Sequence, residues 1–301
     1  MNAPPFRDAA LGDRFREDGY VVVDLLSAGE VEALKEDIRQ MLPLEPPLND
    51  PQGAAYASFF DLDRRADISA LVGSRIGPVL AKLIAGYRPL FSTIFWKPGR
   101  GGATPVHQHS PYVADLDSTV INCWCPLIDC DAGSGTLQVV PRSHALSRHV
   151  QTPSRPAYWH DYVDVLERDY LVSLAVRAGQ AVLFEDTMLH GAAANDRAEE
   201  RLTTLTTLIQ AGAVPAFVLG AQDAAGVDVY RAPDRFAYSD MFTGRLAPEQ
   251  AERIGRVSRA VEQVDLQEFR RRLRARGISS RNSLGSRLRA AAGRMMKAAS
   301  W

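Results

Sequence analysis

The chain has 301 residues, of which 46% are apolar and 24% charged, with a formal net charge of -1. These proportions belong to soluble globular proteins and exclude disordered, collagen-like and coiled-coil classes, while the near-neutral charge argues against a dedicated nucleic-acid binder. No apolar run reaches the roughly 20 residues of a membrane span and the N-terminus lacks a basic segment followed by an apolar one, so a cytoplasmic location is expected. Cys123, Cys125 and Cys130 are an odd number crowded into eight positions, which predicts free buried thiols, not a disulfide scaffold or a zinc site.

In chain order, Gly19-Tyr20-Val21-Val22-Val23 predicts a strand entered through a turn glycine. A helix follows: Ser27 with Glu30 three residues later is a capping-box pattern, and Val31, Leu34, Ile38 and Met41 recur at helical spacing until Pro43. The Pro-rich, polar stretch 44–53 reads as a long loop, either a solvated connector or the rim of a pocket. Residues 68–84 predict one or two further helices, with a break at Gly73 or Gly77-Pro78. Beyond Tyr87 the pattern changes to short β-type runs at 90–97, 104–109, 119–126, 136–140, 170–174, 180–184 and 202–210. Seven strands after a helical opening predict a mainly β sandwich or barrel with helices on one face.

Residues 146–168 interrupt the strands with Pro, Trp, Tyr and Asp, as an excursion over one end of the barrel would. Residues 248–269 predict a helix carrying Ile254, Val257, Val261 and Val264, and Leu284, Leu288, Met295 and Met296 suggest a short amphipathic piece beyond it. From Glu268 to Trp301 nine Arg and one Lys stand against a single acidic residue. Such a tail is a solvated terminus, an oligomer contact, or a surface for membranes, acidic partners or nucleic acid. The expected organisation is one domain over 1–248, with its barrel core at about 88–212, and a helical, basic extension over 249–301.

His107 and His109 lie two apart on the predicted strand 104–109, so both project to one face. Such pairs occur on strand faces for ordinary structural reasons, but imidazole is also the commonest metal ligand. His190 ends the apolar run 181–189, where it is placed to join the pair across a barrel mouth. Arg201, eleven positions later, opens a strand on an apolar and Thr-rich face with Thr203. A guanidinium inside a barrel calls for a carboxylate partner, and a dicarboxylate cosubstrate is one candidate. Lys97 either supplies a second carboxylate-binding cation or snorkels to the surface. Asn122, polar within an apolar strand, is a candidate cosubstrate contact or a sheet-edge hydrogen bonder. Gln108 points away from the two histidines on a regular strand, and Phe60, Tyr112, Tyr158 and Trp159 are candidate pocket walls or core residues.

Taken together, six pieces resemble the phytanoyl-CoA dioxygenase-like group of non-haem iron(II), 2-oxoglutarate-dependent oxygenases. They are Phe15-Arg16-Glu17-Asp18-Gly19-Tyr20-Val21-Val22-Val23 with its helix, Lys97-Pro98-Gly99, Pro105-Val106-His107-Gln108 and Trp124-Cys125-Pro126-Leu127-Ile128-Asp129. Gly135-Thr136-Leu137-Gln138-Val139-Val140-Pro141-Arg142-Ser143-His144 and Leu189-His190-Gly191 with Asn195 and Arg201 complete the set. The resemblance implies a double-stranded β-helix, a jelly-roll or cupin-like barrel flanked by N-terminal and C-terminal helices, working with Fe(II), 2-oxoglutarate and O2. It also implies that His107 and His190 hold iron and that Arg201 receives the far carboxylate of 2-oxoglutarate. His144 matches the family's Ser-His signature and is expected to organise a loop.

His109 stands where the family has its carboxylate ligand. Three outcomes are open: a three-histidine metal site of His107, His109 and His190; a carboxylate recruited from Asp115 or Asp117; or a chain that holds metal poorly. Ala192 replaces the small hydroxyl residue that many relatives place near the cosubstrate. The leading expectation is an oxygenase that oxidises a C–H bond of a small molecule, in secondary metabolism, with Arg201, Lys97 and Asn122 binding 2-oxoglutarate. The alternatives are a non-catalytic barrel, as a ligand binder or partner subunit, and a three-histidine dioxygenase that does not use 2-oxoglutarate. A homo-oligomer formed through the C-terminal helices is a further expectation, and neither nucleic acid nor a membrane span is expected.

Overall fold

Asp8 opens the first helix, α1 (Ala9–Asp18), by accepting from the Ala10 and Leu11 N–H groups, and Gly19 closes it at a φ of 80°. A Cβ on Gly19 would lie 2.2 Å from His144 Nδ1, so space as well as conformation demands glycine. The computed structural model describes residues 5–146, 157–220, 226–258 and 263–280. β1 (Tyr20–Asp24) follows, then α2 (Ala28–Met41), whose capping box between Ser27 and Glu30 is formed as its sequence predicts. A long loop leads to β2 (Tyr56–Ala57) and then α3 (Arg65–Leu83).

α3 is one unbroken helix, against the expected break at Gly73 or Gly77-Pro78. Its glycines face the barrel without strain: Cβ atoms there would make ordinary contacts at 3.8 Å with Ser92 and with Pro89. Pro78 removes one helical hydrogen bond. The burial of Ile68, Val72, Ile76 and Leu80 along one face offsets that loss.

The barrel contains β3 (Tyr87–Lys97), β4 (Thr104–His107), β5 (Ile121–Pro126), β6 (Leu137–Val139), α4 (Val163–Asp169), β7 (Val172–Ser173), β8 (Gln180–Glu185), β9 (His190–Ala192) and β10 (Arg201–Gln210). A six-stranded antiparallel sheet, ordered β1-β8-β5-β10-β3-β2, faces a four-stranded one, ordered β4-β9-β6-β7. All seven strands that the sequence predicts between 90 and 210 are present, with shifted ends. The arrangement is the expected mainly β jelly-roll with helical additions. Strand alternation divides its residues: Cys123, Cys125, Leu202 and Leu208 face the helices with Leu34, Ile38 and Ile76, whereas Trp124, Phe184 and Leu205 face Leu137 and Val139 between the sheets. The three cysteines are free and buried.

Beyond the barrel come β11 (Ala216–Gly220), β12 (Gly226–Arg231), α5 (Ala237–Phe242), β13 (Arg253–Ser258) and α6 (Leu266–Ala275). The helix expected over 248–269 is not formed. Residues 253–258 instead pair with β12, placing Val257 opposite Val227, and Ile254 and Val257 pack with Val218 and Val229. β-branched residues around Gly255 suit a pleated strand better than a helix, and β12 provides the edge they need. Among the described residues of this stretch, α-helix appears from Leu266, after Asp265 caps the Glu268 N–H.

Val261 and the segment with Leu284, Leu288, Met295 and Met296 lie outside the described residues. α6 buries Phe269 and Leu273 in a cluster with Tyr158, Trp159 and Leu166, so pairing of copies through this helix would have to use its arginine-rich face. No helix among the described residues is long and apolar enough to cross a membrane.

Candidate metal centre and cosubstrate pocket

Strand register brings the first two imidazoles together: β4 and β9 run antiparallel with His107 opposite His190. His109 lies just past the end of β4, where its N–H donates to the Asp186 carbonyl. Its ring centroid is 5.7 Å from that of His107 and 4.7 Å from that of His190, and the other two are 4.2 Å apart. One nitrogen from each ring falls within 4.8 Å of the others.

Hydrogen bonds decide which nitrogen each ring offers. His107 Nδ1 faces the Pro105 carbonyl at 2.9 Å and His190 Nδ1 faces the Met188 carbonyl at 2.8 Å. A carbonyl only accepts, so both Nδ1 atoms carry the proton and both Nε2 atoms carry the lone pair. Burial lowers all three pKa values, that of His109 to about 3 with His107 adding to the effect. Three neutral imidazoles, the form that binds metal, are therefore present at physiological pH.

The Asn122 amide nitrogen, Nδ2, faces His109 Nδ1 at 3.2 Å, and Thr207 Oγ1 donates to Asn122 Oδ1 at 2.9 Å. A hydroxyl both donates and accepts, so Thr207 can hold the amide either way round. With the oxygen turned to His109, Nδ1 keeps its proton and Nε2 is left for a metal. Asn122 is fully buried and does not line the cavity. Asp115 and Asp117, the candidate replacement carboxylates, are exposed in a turn where Asp115 accepts from the Asp117 N–H and from Ser118 Oγ. Among the described residues, no carboxylate joins the three histidines.

β10 supplies the anion-binding end. Arg201 is 3% exposed and donates from Nη1 to the Gly135 carbonyl, while its Nε and the neighbouring Thr203 Oγ1 are buried without any partner. Burial pulls the guanidinium down to about 10. Arg201 lines the cavity, so its guanidinium can meet an acceptor that enters there, whereas Thr203 is not among the lining residues. A carboxylate is such an acceptor.

Lys97, opposite Arg201 on β3, is fully buried and donates to the Gly102 and Ala193 carbonyls at 2.7 and 3.0 Å. Burial and then Arg201 bring it down to about 7. It ties two loops together and is not among the cavity-lining residues.

The three histidines and Arg201 line one cavity of about 460 Å³. Ala192 presents no hydroxyl there, and Asp50, Pro51 and Gln52 bring the long 44–53 loop to its rim. Phe60 and Tyr112 are walls, as expected, whereas Tyr158 and Trp159 belong to the α6 cluster and the adjacent His160 reaches the cavity. Gln108 also reaches it, although its Nε2 donates to the Thr187 carbonyl. His144 faces the Arg16 carbonyl from Nε2 at 3.1 Å and so anchors its loop to α1. Tyr238 and Phe242 had no signal in the sequence, because α5 lies in a region without a recognisable motif.

The family model for phytanoyl-CoA dioxygenase (PhyH) matches residues 15–202. The chain belongs to the phytanoyl-CoA dioxygenase family. This PhyH chain is thus an enzyme of the non-haem iron(II), 2-oxoglutarate-dependent oxygenase class, with O2 as co-reactant, and its donor set fits both metal and cosubstrate.

Solved structures with the same fold include the epimerase SnoN in complex with Fe3+, alpha ketoglutarate and nogalamycin RO, at 25% identity and a TM-score of 0.50 over 69% of this chain and 86% of that one. The carbocyclase SnoK from nogalamycin biosynthesis matches at 20% identity and a TM-score of 0.54 over 85% and 96%. EctD from S. alaskensis, with 2-oxoglutarate and 5-hydroxyectoine, matches at 19% and 0.53 over 71% and 80%. No curated protein matches the sequence.

Proposed function

We propose that this PhyH chain oxidises a C–H bond of a small molecule in secondary metabolism, by hydroxylation or a related radical oxidation, at a metal held by His107, His109 and His190. Iron with 2-oxoglutarate and O2 supplies the oxidant, and 2-oxoglutarate leaves as succinate and carbon dioxide. The protein's part is to bind, orient and exclude water. Arg201 takes the far carboxylate of 2-oxoglutarate, Asn122 holds His109 in its metal-binding tautomer, and Lys97 fixes the loops beside Arg201 without touching the cosubstrate. The observation that carries this reading is one cavity lined by three neutral imidazoles at one site and a guanidinium with unused donors at another. A cytoplasmic location accords with three free, buried thiols.

The presence of His109 also favours a dioxygenase in which the organic substrate itself binds iron. The guanidinium of Arg201 in the cavity lining weighs against it, since such an enzyme has no use for a second carboxylate. Oxygen uptake and succinate release separate the two. The expected result is Fe(II)- and 2-oxoglutarate-dependent oxygen uptake with matching succinate, and a KM for 2-oxoglutarate raised at least about 30-fold in Arg201→Met. Oxygen uptake without succinate, or no effect of Arg201→Met, would overturn the proposal.

A further inference from the structure

The wall of the cavity beyond the histidines is aromatic. Phe59 and Phe60 lie 5.5 Å apart between ring centroids, Phe60 and Phe242 6.2 Å, and Phe242 and Tyr238 6.3 Å. Tyr238 meets Tyr112 at 5.2 Å, Tyr112 meets Phe91 at 5.6 Å, and Phe91 returns to Phe59 at 4.7 Å. Tyr112 also stands edge-on to His109 at 5.8 Å, so this circuit of six rings begins beside the metal ligands and ends at Phe242, which is 42% exposed.

The circuit is held before any ligand arrives. Arg65 makes a two-pronged ion pair with Asp240 of α5 at 2.6 and 2.9 Å, both side chains largely buried, and Ser239 Oγ donates to the Phe59 carbonyl at 2.9 Å. α5 is thereby fixed to the segment carrying Phe59 and Phe60. Rings fixed in this way bind without losing rotamer freedom. Tyr238 and Phe242 lie beyond residue 202, where the family match ends.

The charge inventory narrows what this cavity accepts. Apart from histidines and tyrosines, the ionisable side chains among the described lining residues are Arg201 and Asp50. With Arg201 engaged by 2-oxoglutarate, which is where this inference rests on the proposed function, the remaining charge is the Asp50 carboxylate at the rim. The faces of aromatic rings are electron-rich, so they attract cations and offer nothing to phosphate groups. Phe59 and Tyr238 also touch, with centroids 6.3 Å apart, so the six rings pack into a wall and do not enclose a space. We propose that the cavity takes a flat, multi-ring compound that is neutral or positively charged, lying against this aromatic wall. The lining offers phosphate groups no cation beyond Arg201, so a polyanionic thioester such as an acyl-CoA is expected to bind less well than such a compound.

The test uses aminoanthracene, a neutral three-ring fluorophore that brightens in apolar surroundings, on the full chain with Fe(II) and 2-oxoglutarate under anaerobic conditions. Saturable brightening is expected, weakened about tenfold in the Phe60→Ala/Phe242→Ala double variant through loss of two ring contacts. Palmitoyl-CoA should displace the probe poorly. Unchanged probe affinity in the double variant, or displacement by palmitoyl-CoA at a concentration equal to the probe's, would overturn the proposal. The visible charge-transfer band of the iron–2-oxoglutarate chelate is followed in the same samples. Its absence in the parent protein would count against the oxygenase reading, while probe affinity continues to decide the ligand class separately; its retention in the double variant shows that any weakening belongs to the aromatic wall.

Discussion

At the inner end of the cavity, His107, His109, His190 and Arg201 come from β4, the turn after it, β9 and β10, and strand pairing sets their positions. At the outer end, six rings come from the segment before α3, from β3, from the loop after β4 and from α5, and side-chain packing between distant elements sets theirs. Chemistry that depends on register tolerates few residue types and leaves motifs. A wall that depends on packing accepts any large ring of suitable volume, so the reaction class and the ligand class of one cavity are specified by different physical means.

The largest expected separation of the two ends is a loss of stability at the outer one. Phe217 in β11 is fully buried and stacks on Tyr230 at 5.5 Å, and β11 packs against α5. Phe217→Ala should cost about 3–5 kcal/mol in urea unfolding and weaken aminoanthracene binding. Iron–2-oxoglutarate chelation at temperatures below the unfolding transition should be retained. Parallel loss of both would mean that the ends are not independent.

Asn122→Leu reverses the pattern. With no acceptor for His109 Nδ1–H, Fe(II) affinity should drop about 10- to 100-fold while probe binding at the aromatic wall is kept. Asn122→Asp, which again accepts that proton, should recover most of the affinity. Equal Fe(II) titrations for the parent and the Leu variant would show that the amide does not hold the ring.

A smaller effect lies between the ends. Lys97 titrates at about 7 in the folded chain against an ordinary 10.5, from burial first and Arg201 second. Between those values the unfolded chain binds a proton that the folded chain does not, so this lysine makes stability rise with pH across that window and contributes no slope below it. The stability difference between the parent and Lys97→Met, measured by urea unfolding at several pH values from about 7 to 10.5, should move in the parent's favour as pH rises. A difference independent of pH would mean that Lys97 is protonated where it lies.

Most of the inner end was legible in the sequence. The His107/His109 spacing, His190 at the end of an apolar run and Arg201 eleven residues later are local patterns that strand geometry turns directly into a site, although the short strand that begins at His190 was not foreseen. Thr203 was visible as a neighbour of Arg201, but that its hydroxyl is left without a partner needed coordinates. Asn122 was legible as a polar residue in an apolar strand, and Lys97 as either a carboxylate-binding cation or a snorkelling surface lysine. Their partners, the Gly102 and Ala193 carbonyls and His109 with Thr207, are set by how strands and loops meet and not by spacing. The helix expected across 248–269 failed because Ile254 and Val257 at helical spacing also suit a β-branched edge strand, and β12, whose pattern gave no warning, was there to pair with it. α3 survived its glycines and proline because tertiary burial along one face outweighed local propensity.

Anaerobic addition of Fe(II) and then 2-oxoglutarate to the metal-free protein, with the same titration of His109→Ala and His109→Asp, tests the three-histidine site most directly. Such a site predicts a visible charge-transfer band in the parent that is weakened in His109→Ala. No iron binding in the parent, with binding gained in His109→Asp, would contradict it and leave a barrel that binds its ligand without oxidising it.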